Sequence, residues 1–254
     1  MPLHPQARTM IERIQALNLA PTSQMTPKQA RESVRERSAA LPREDVASVR
    51  DHHVPVQDGT VLVRVFTPRQ PAPLPALVYF HGGGWMTGDV DTHEGICRTL
   101  ANAAACVVAS VDYRCAPEFP YPTAAEDSYA ATGWVVEKAS ELGVDTRRLA
   151  VIGDSAGGNL AAAVALMARD REGPKLAVQV LVYPVTDCDF TRPSYTENAE
   201  GYLLTSESMK FYWDQYAPRP ADRVHPYASP MRATSLGGLP PAHVITCEYD
   251  PLRD

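Results

Sequence analysis

The chain is poor in sulfur, in positive charge and in long apolar runs. Its 254 residues include five cysteines, Cys97, Cys106, Cys115, Cys188 and Cys247, with no C-x-x-C spacing. An odd count without paired spacing argues against a disulfide framework or a zinc site. Buried free thiols in a reducing cytoplasm are the expectation. No apolar run approaches the ~20 residues of a membrane span, and the N-terminus lacks a basic-then-apolar signal pattern. The 24 Lys and Arg are scattered against 30 Asp and Glu, for a net charge of −6. With no basic patch, neither nucleic acid nor a membrane is an expected partner. His52 and His53 are adjacent in a strand-like run, so they face opposite sides and cannot share a metal. Histidine is also missing at one place: none of the seven follows His243.

At 44% hydrophobic and 21% charged residues, the composition fits one large domain better than two small ones. Residues 1–45 read as two amphipathic helices outside the main sheet. Met10, Ile14 and Leu17 share a helical face, Pro21 breaks the first helix, and Thr26-Pro27 starts the second. Val46 to Val56 and Val61 to Phe66 flank Asp58-Gly59, a hairpin signal. Strands at 76–80, 107–112, 149–152, 178–183 and 243–247 then alternate with helices near 94–104, 123–141, 159–171 and 206–216. This alternation predicts an α/β fold with a mostly parallel sheet and helices on both faces. Residues 185–220, rich in aromatics, interrupt the rhythm.

Two glycine motifs follow apolar strands. His81-Gly82-Gly83-Gly84-Trp85 follows Ala76 to Phe80, and Gly153-Asp154-Ser155-Ala156-Gly157-Gly158 follows Leu149 to Ile152. The second is a G-x-S-x-G nucleophile elbow, in which Gly153 and Gly157 remove side chains from a sharp strand-to-helix turn. Ser155 would stand at a helix N-terminus, where free N–H groups favour an anion. The first motif exposes backbone N–H groups that, with that of Ala156, would stabilise an oxyanion. A phosphate-binding loop is the competing reading of the glycines, but neither G-x-G-x-x-G nor a P-loop lysine is present. Together the motifs specify an α/β-hydrolase, whose triad runs Ser, then Asp or Glu, then His. Asp250, at the end of strand 243–247, is the candidate acid, with Asp254 as its rival. His81 precedes the glycines and reads as positioning their loop. His93 and His225 are the substitute bases to consider, and His243 reads as a core or edge residue.

These residues closely resemble the bacterial hormone-sensitive-lipase family of esterases. The resemblance rests on both glycine motifs, on Asp112-Tyr-Arg-Cys-Ala-Pro-Glu118, on Glu200-Gly-Tyr-Leu-Leu204 and on Tyr249-Asp-Pro-Leu-Arg-Asp254. It implies Ser155 as nucleophile, Asp250 rather than Asp254 as acid, and Gly83, Gly84 and Ala156 as oxyanion donors. It also implies a cap built from the N-terminal helices and the stretch near 185–220. Cys115 stands where the family usually has leucine. The family continues past the position of Asp254 to a His-Gly-Phe motif carrying the base, so the chain is expected to be a truncated esterase with little activity of its own.

The sequence therefore predicts a carboxylesterase for short- to medium-chain acyl esters, working through an acyl-enzyme without metal or organic cofactor. Trp85, Leu204 and Phe211 are expected in the substrate pocket. A small ester is the expected partner, and a homodimer is left open. The main alternative is a non-catalytic ligand-binding relative. A weaker one is an amidase or acyltransferase on the same triad.

Overall fold

The computed structural model describes residues 2–254. Asp58, at φ 57°, turns the chain between β1 (Ser48–Val56) and β2 (Gly59–Thr67), which pair antiparallel with Val54 opposite Val61. Val61, Val63 and Val65 alternate inward along β2, as strand pleating requires. Five parallel strands complete the sheet: β3 (Leu74–Phe80), β4 (Val107–Asp112), β5 (Val144–Asp154), β6 (Val178–Val182) and β7 (Ala242–Ile245). The spatial order is β1-β2-β4-β3-β5-β6-β7.

Helices cover both faces. On one face α3 (Glu94–Ala103) buries Cys97 and Ala101 against Phe66, Tyr79, Val108 and Ile152. On the other, α4 (Thr123–Glu137) and α6 (Ala156–Asp170) join the larger core with Val78, Phe80 and Val151. Between α4 and β5 runs the short α5 (Ala139–Leu142), so the predicted helix over 123–141 is broken at Lys138. Every residue of α6 from Ala156 to Ala168 is buried. A helix apolar on all sides belongs inside the protein, and the alanines let it approach its neighbours closely.

The chain leaves β3 for β4 on one side and reaches β5 on the other. At such a switch point the strand ends diverge and open a crevice at the C-terminal edge of the sheet. Both glycine motifs lie there, at the ends of β3 and β5.

Two groups of elements sit outside the alternation. At the N-terminus are α1 (Pro5–Ala16) and α2 (Pro27–Ser38), the latter started by a capping box between Thr26 and Gln29. Between β6 and β7 lie α7 (Pro193–Glu197), α8 (Ser206–Tyr216) and α9 (Pro220–Arg223). The apolar stripe predicted on α1 is not buried: Met10 is 54% and Leu17 55% exposed. Instead α2 is fixed by charge. Arg31 donates to the carbonyls of Met86 (2.9 Å) and Ala116 (2.9 Å) and forks onto Glu118. Arg35 donates to Asp89 at 2.6 Å. At the sheet's far side, β7 pairs only with β6, and none of its four residues is buried. No helix among the described residues is long and apolar enough to cross a membrane.

Candidate active site

Ser155 stands between β5 and α6 at φ 54°, ψ −117°, a conformation that costs a non-glycine residue strain. The surroundings hold it there. Its N–H donates to Val182 at 2.9 Å, and its carbonyl accepts from Asn159 (3.0 Å) and Val185 (3.2 Å). A Cβ at Gly153 would overlap the carbonyl of Gly157, and one at Gly157 would overlap that of Phe80. Both glycines are thus required by backbone-on-backbone contact. Ala156 opens α6, so its N–H has no carbonyl one helical turn behind it.

The loop after β3 is pinned at successive peptides. Gly82 N–H donates to Asp154 Oδ1 at 3.1 Å, and the same oxygen accepts from Tyr79 Oη at 2.6 Å. The carbonyl of His81 accepts from Tyr113 Oη at 2.7 Å. His81 Nδ1 lies 2.9 Å from Gly82 O, so Nδ1 carries the proton, a carbonyl being only an acceptor. The carbonyl of Gly83 accepts from Thr87 N–H (2.9 Å), Thr87 Oγ1 (3.0 Å) and Met86 N–H (3.2 Å). A trans peptide places its C=O and N–H on opposite sides. Anchoring the carbonyls of Gly82 and Gly83 therefore fixes the directions of the N–H groups of Gly83 and Gly84. The φ angles of +121° at Gly83 and +61° at Gly84 permit this course.

His81 is fully buried and stacks on Tyr113 at 4.2 Å. Burial and the nearby His93 push its pKa down to about 3, so it is neutral and serves as a strut for the loop. The motif from Asp112 to Glu118 is likewise supporting structure. Tyr113 holds His81. Arg114 forks onto Asp127 at 2.7 and 2.9 Å. Ala116 and Glu118 receive Arg31 of α2.

Asp250 follows β7. Its Oδ1 accepts from Leu252 N–H at 2.8 Å, while Asn198 donates to its carbonyl at 3.2 Å. Burial raises its pKa. Asp254 is committed elsewhere: its carboxylate accepts from Ser194 N–H (2.8 Å) and Arg253 Nε (3.0 Å), which hold its pKa down.

None of the remaining histidines is hydrogen-bonded to Ser155 or Asp250, and only His93, 5.3 Å from the His81 ring, lies beside the glycine loop. His4 caps α1, His52 packs on Trp134, and His53 is exposed on β1. His93 contacts Thr92 Oγ1 at 2.9 Å, and His225 contacts Tyr121 Oη at 2.7 Å. His243 lies exposed on β7.

A cavity of about 670 Å³ lies among α1, α2, α8 and the loop before α8, with Leu19, Met25, Val34, Thr87, Leu203 and Tyr212 in its wall. Its lining includes neither Ser155 nor the three residues expected in the substrate pocket. Trp85 is buried in the core, stacked on Tyr216 at 4.1 Å and tilted against Trp213 at 5.0 Å. Leu204 packs against the same core, and Phe211 stands beside Tyr212 without reaching the cavity. Their neighbours Leu203 and Tyr212 take the wall positions. Adjacent residues point in different directions, and an aromatic-rich stretch does not say which of them faces inward. Asp154, Tyr79 and Thr87 were also not singled out by the motifs, although Asp154 lies inside one of them.

The fold and these strand-end motifs define an α/β hydrolase. The profile of the alpha/beta hydrolase fold family matches residues 77–254, and the chain belongs to that family. It falls among relatives named as esterases. It is 44% identical over 231 residues to esterase LipI of Mycobacterium tuberculosis, covering 88% of this chain and 72% of that protein. It is 48% identical over 184 residues to carboxylesterase NlhH of the same organism, covering 71% of this chain and 58% of the relative. The structure of the esterase from the archaeon Pyrobaculum calidifontis superposes with a TM-score of 0.95 at 44% identity, covering all of this chain and 82% of that one.

Proposed function

We propose that the chain is the greater part of a serine carboxylesterase acting on short- to medium-chain acyl esters. The observation that carries this reading is the juxtaposition of a strained Ser155 at the start of α6 with a loop whose His81, Gly82 and Gly83 carbonyls are turned onto the protein. Ser155 Oγ attacks the ester carbonyl. The N–H groups of Gly83, Gly84 and Ala156 receive the negative oxygen; one such donor is typically worth ~3 kcal/mol in the transition state. The alcohol leaves, and water hydrolyses the acyl-enzyme. Asp250 orients the base, since Asp254 is engaged by Ser194 and Arg253. The base is taken to come from outside these 254 residues, because none of the seven histidines is hydrogen-bonded to Ser155 or Asp250. The N-terminal helices and the elements between β6 and β7 form a cap over the site.

Reaction with a fluorophosphonate and hydrolysis of p-nitrophenyl butyrate test this, on the 254-residue chain and on a form extended to supply the base. The extended form should be labelled at Ser155 and turn over. The 254-residue chain should be slower by a factor on the order of 10⁶, the cost of a missing triad histidine. Equal turnover would place the base among the seven histidines. Labelling elsewhere, or activity surviving Ser155→Ala, would overturn the nucleophile. No labelling and no turnover in the extended form would favour a ligand-binding relative.

A further inference from the structure

The three loop glycines each abut a different neighbour. A Cβ at Gly82 would overlap Asp154, one at Gly83 would overlap Thr87, and one at Gly84 would overlap the ring of Tyr212. Asp154 and Thr87 belong to the strand ends and the loop itself. Tyr212 belongs to α8, outside the sheet-and-helix alternation. Its ring covers Gly84, and its far end faces Thr22 and Arg37 from the N-terminal segment. Thr22, Arg37, Thr87 and Tyr212 all line the 670 Å³ cavity. Whatever fills that cavity therefore touches the residues that back Gly83 and Gly84.

We propose that Tyr212 is a positioning residue that transmits occupancy of the cavity to the oxyanion loop, its ring acting as the wall against which Gly84 is held. This rests on the esterase reading for its consequence in catalysis, though not for the contact itself. An apolar acyl or alcohol group in the cavity would press on one face of the ring while Gly84 bears on the other. The Gly84 N–H would then be fixed most firmly when substrate is bound. A displacement of about 1 Å at such a site can cost on the order of 100-fold in rate.

The test compares Tyr212→Phe and Tyr212→Ala, with Met25→Ala as a cavity-wall control and Tyr212→Leu in reserve should the alanine variant not fold. The first readout is amide hydrogen exchange of residues 82–88 in the 254-residue chain, which requires no catalysis. The second is kcat and KM of the extended protein on p-nitrophenyl acetate and hexanoate. Tyr212→Ala should speed exchange of the Gly83 and Gly84 amides about tenfold or more. It should also lower kcat on both esters by ~10- to 100-fold with little change in KM. Tyr212→Phe, which keeps the ring, should stay within about twofold. Met25→Ala should alter KM for hexanoate and leave loop exchange unchanged. Unchanged exchange in Tyr212→Ala, whatever happens to the rates, would overturn the proposal, as would a loss confined to hexanoate KM. Faster exchange in a protein that hydrolyses no ester would sustain the contact and sink the esterase reading.

Discussion

Asp154 joins the turn at Ser155 to the glycine loop after β3 through one carboxylate, and its removal should be felt on both sides. Asp154→Ala leaves the Tyr79 hydroxyl and the Gly82 N–H without their acceptor. Stranding buried donors costs ~1–3 kcal/mol each, so a loss of roughly 2–4 kcal/mol is expected in chemical denaturation, and Asp154→Asn should lose less. A second residue speaks to pH. Burial and the nearby Asp89 and Asp91, partly offset by Arg35 and a hydrogen bond from the Val90 backbone, push Asp112 up to about 6. Its carboxyl is thus more readily protonated in the folded state than in the unfolded one. The resulting stability is fully present below the unfolded value near 4 and is lost as pH rises through about 6, an effect of about 2–3 kcal/mol. Asp112→Asn should therefore raise the melting temperature at pH 8 and change it little at pH 4. A uniform shift at both would sink the assignment. Ser155 and the loop glycines were legible in the sequence because close backbone contact demands glycine at fixed spacing. Tyr79, Thr87 and Tyr212 were not, because no spacing rule tells which distant side chain will lie against them.

Among the elements, α2 owes its place to few contacts. Ala30 is its only buried residue, and Arg31 satisfies two backbone carbonyls as well as Glu118. Arg31→Ala should cost ~2–3 kcal/mol and expose residues 17–40 to limited proteolysis. Arg31→Lys should rescue little, since an ammonium cannot replace the planar fork. Protection equal to the parent's would show that α2 is held by packing alone. The β7 edge carries the opposite risk. Val244 is 51% and Ile245 41% exposed beside unpaired backbone, a template for another chain. The 254-residue chain should self-associate in light scattering, and Val244→Lys should reduce this. A monodisperse parent would refute it. Most elements were readable from alternation, including the hairpin at Asp58-Gly59. β5 begins earlier than predicted, at Val144, because Asp145, Arg147 and Arg148 make its first half look like a loop while its backbone still pairs with Leu74. α6 starts at Ala156, hidden by glycines that ordinarily mark a turn.

For the molecule as a whole, the parallel sheet with helices on both faces was implicit in the strand–helix rhythm, whereas the strand order was not. That β2 lies against β4 and β3 at the centre depends on contacts far apart in sequence. This order sets the two glycine motifs side by side, and on the proposed esterase reading an acyl group in the cavity would meet Leu203. Leu203→Ala should shift acyl-chain preference by ~1–3 kcal/mol at most per methylene and spare acetate. Equal losses on all chain lengths would instead indicate damage to the reaction centre. The crowding around the three loop glycines also constrains the history open to this sequence. A side chain at any of the three collides with a specific neighbour, and at Gly83 and Gly84 it also meets a left-handed backbone. Space for a side chain at Gly84 opens only when Tyr212 shrinks, whereas Gly83 faces the backbone carbonyl of Thr87, which no substitution at 87 removes, so any drift of the loop has to begin in α8.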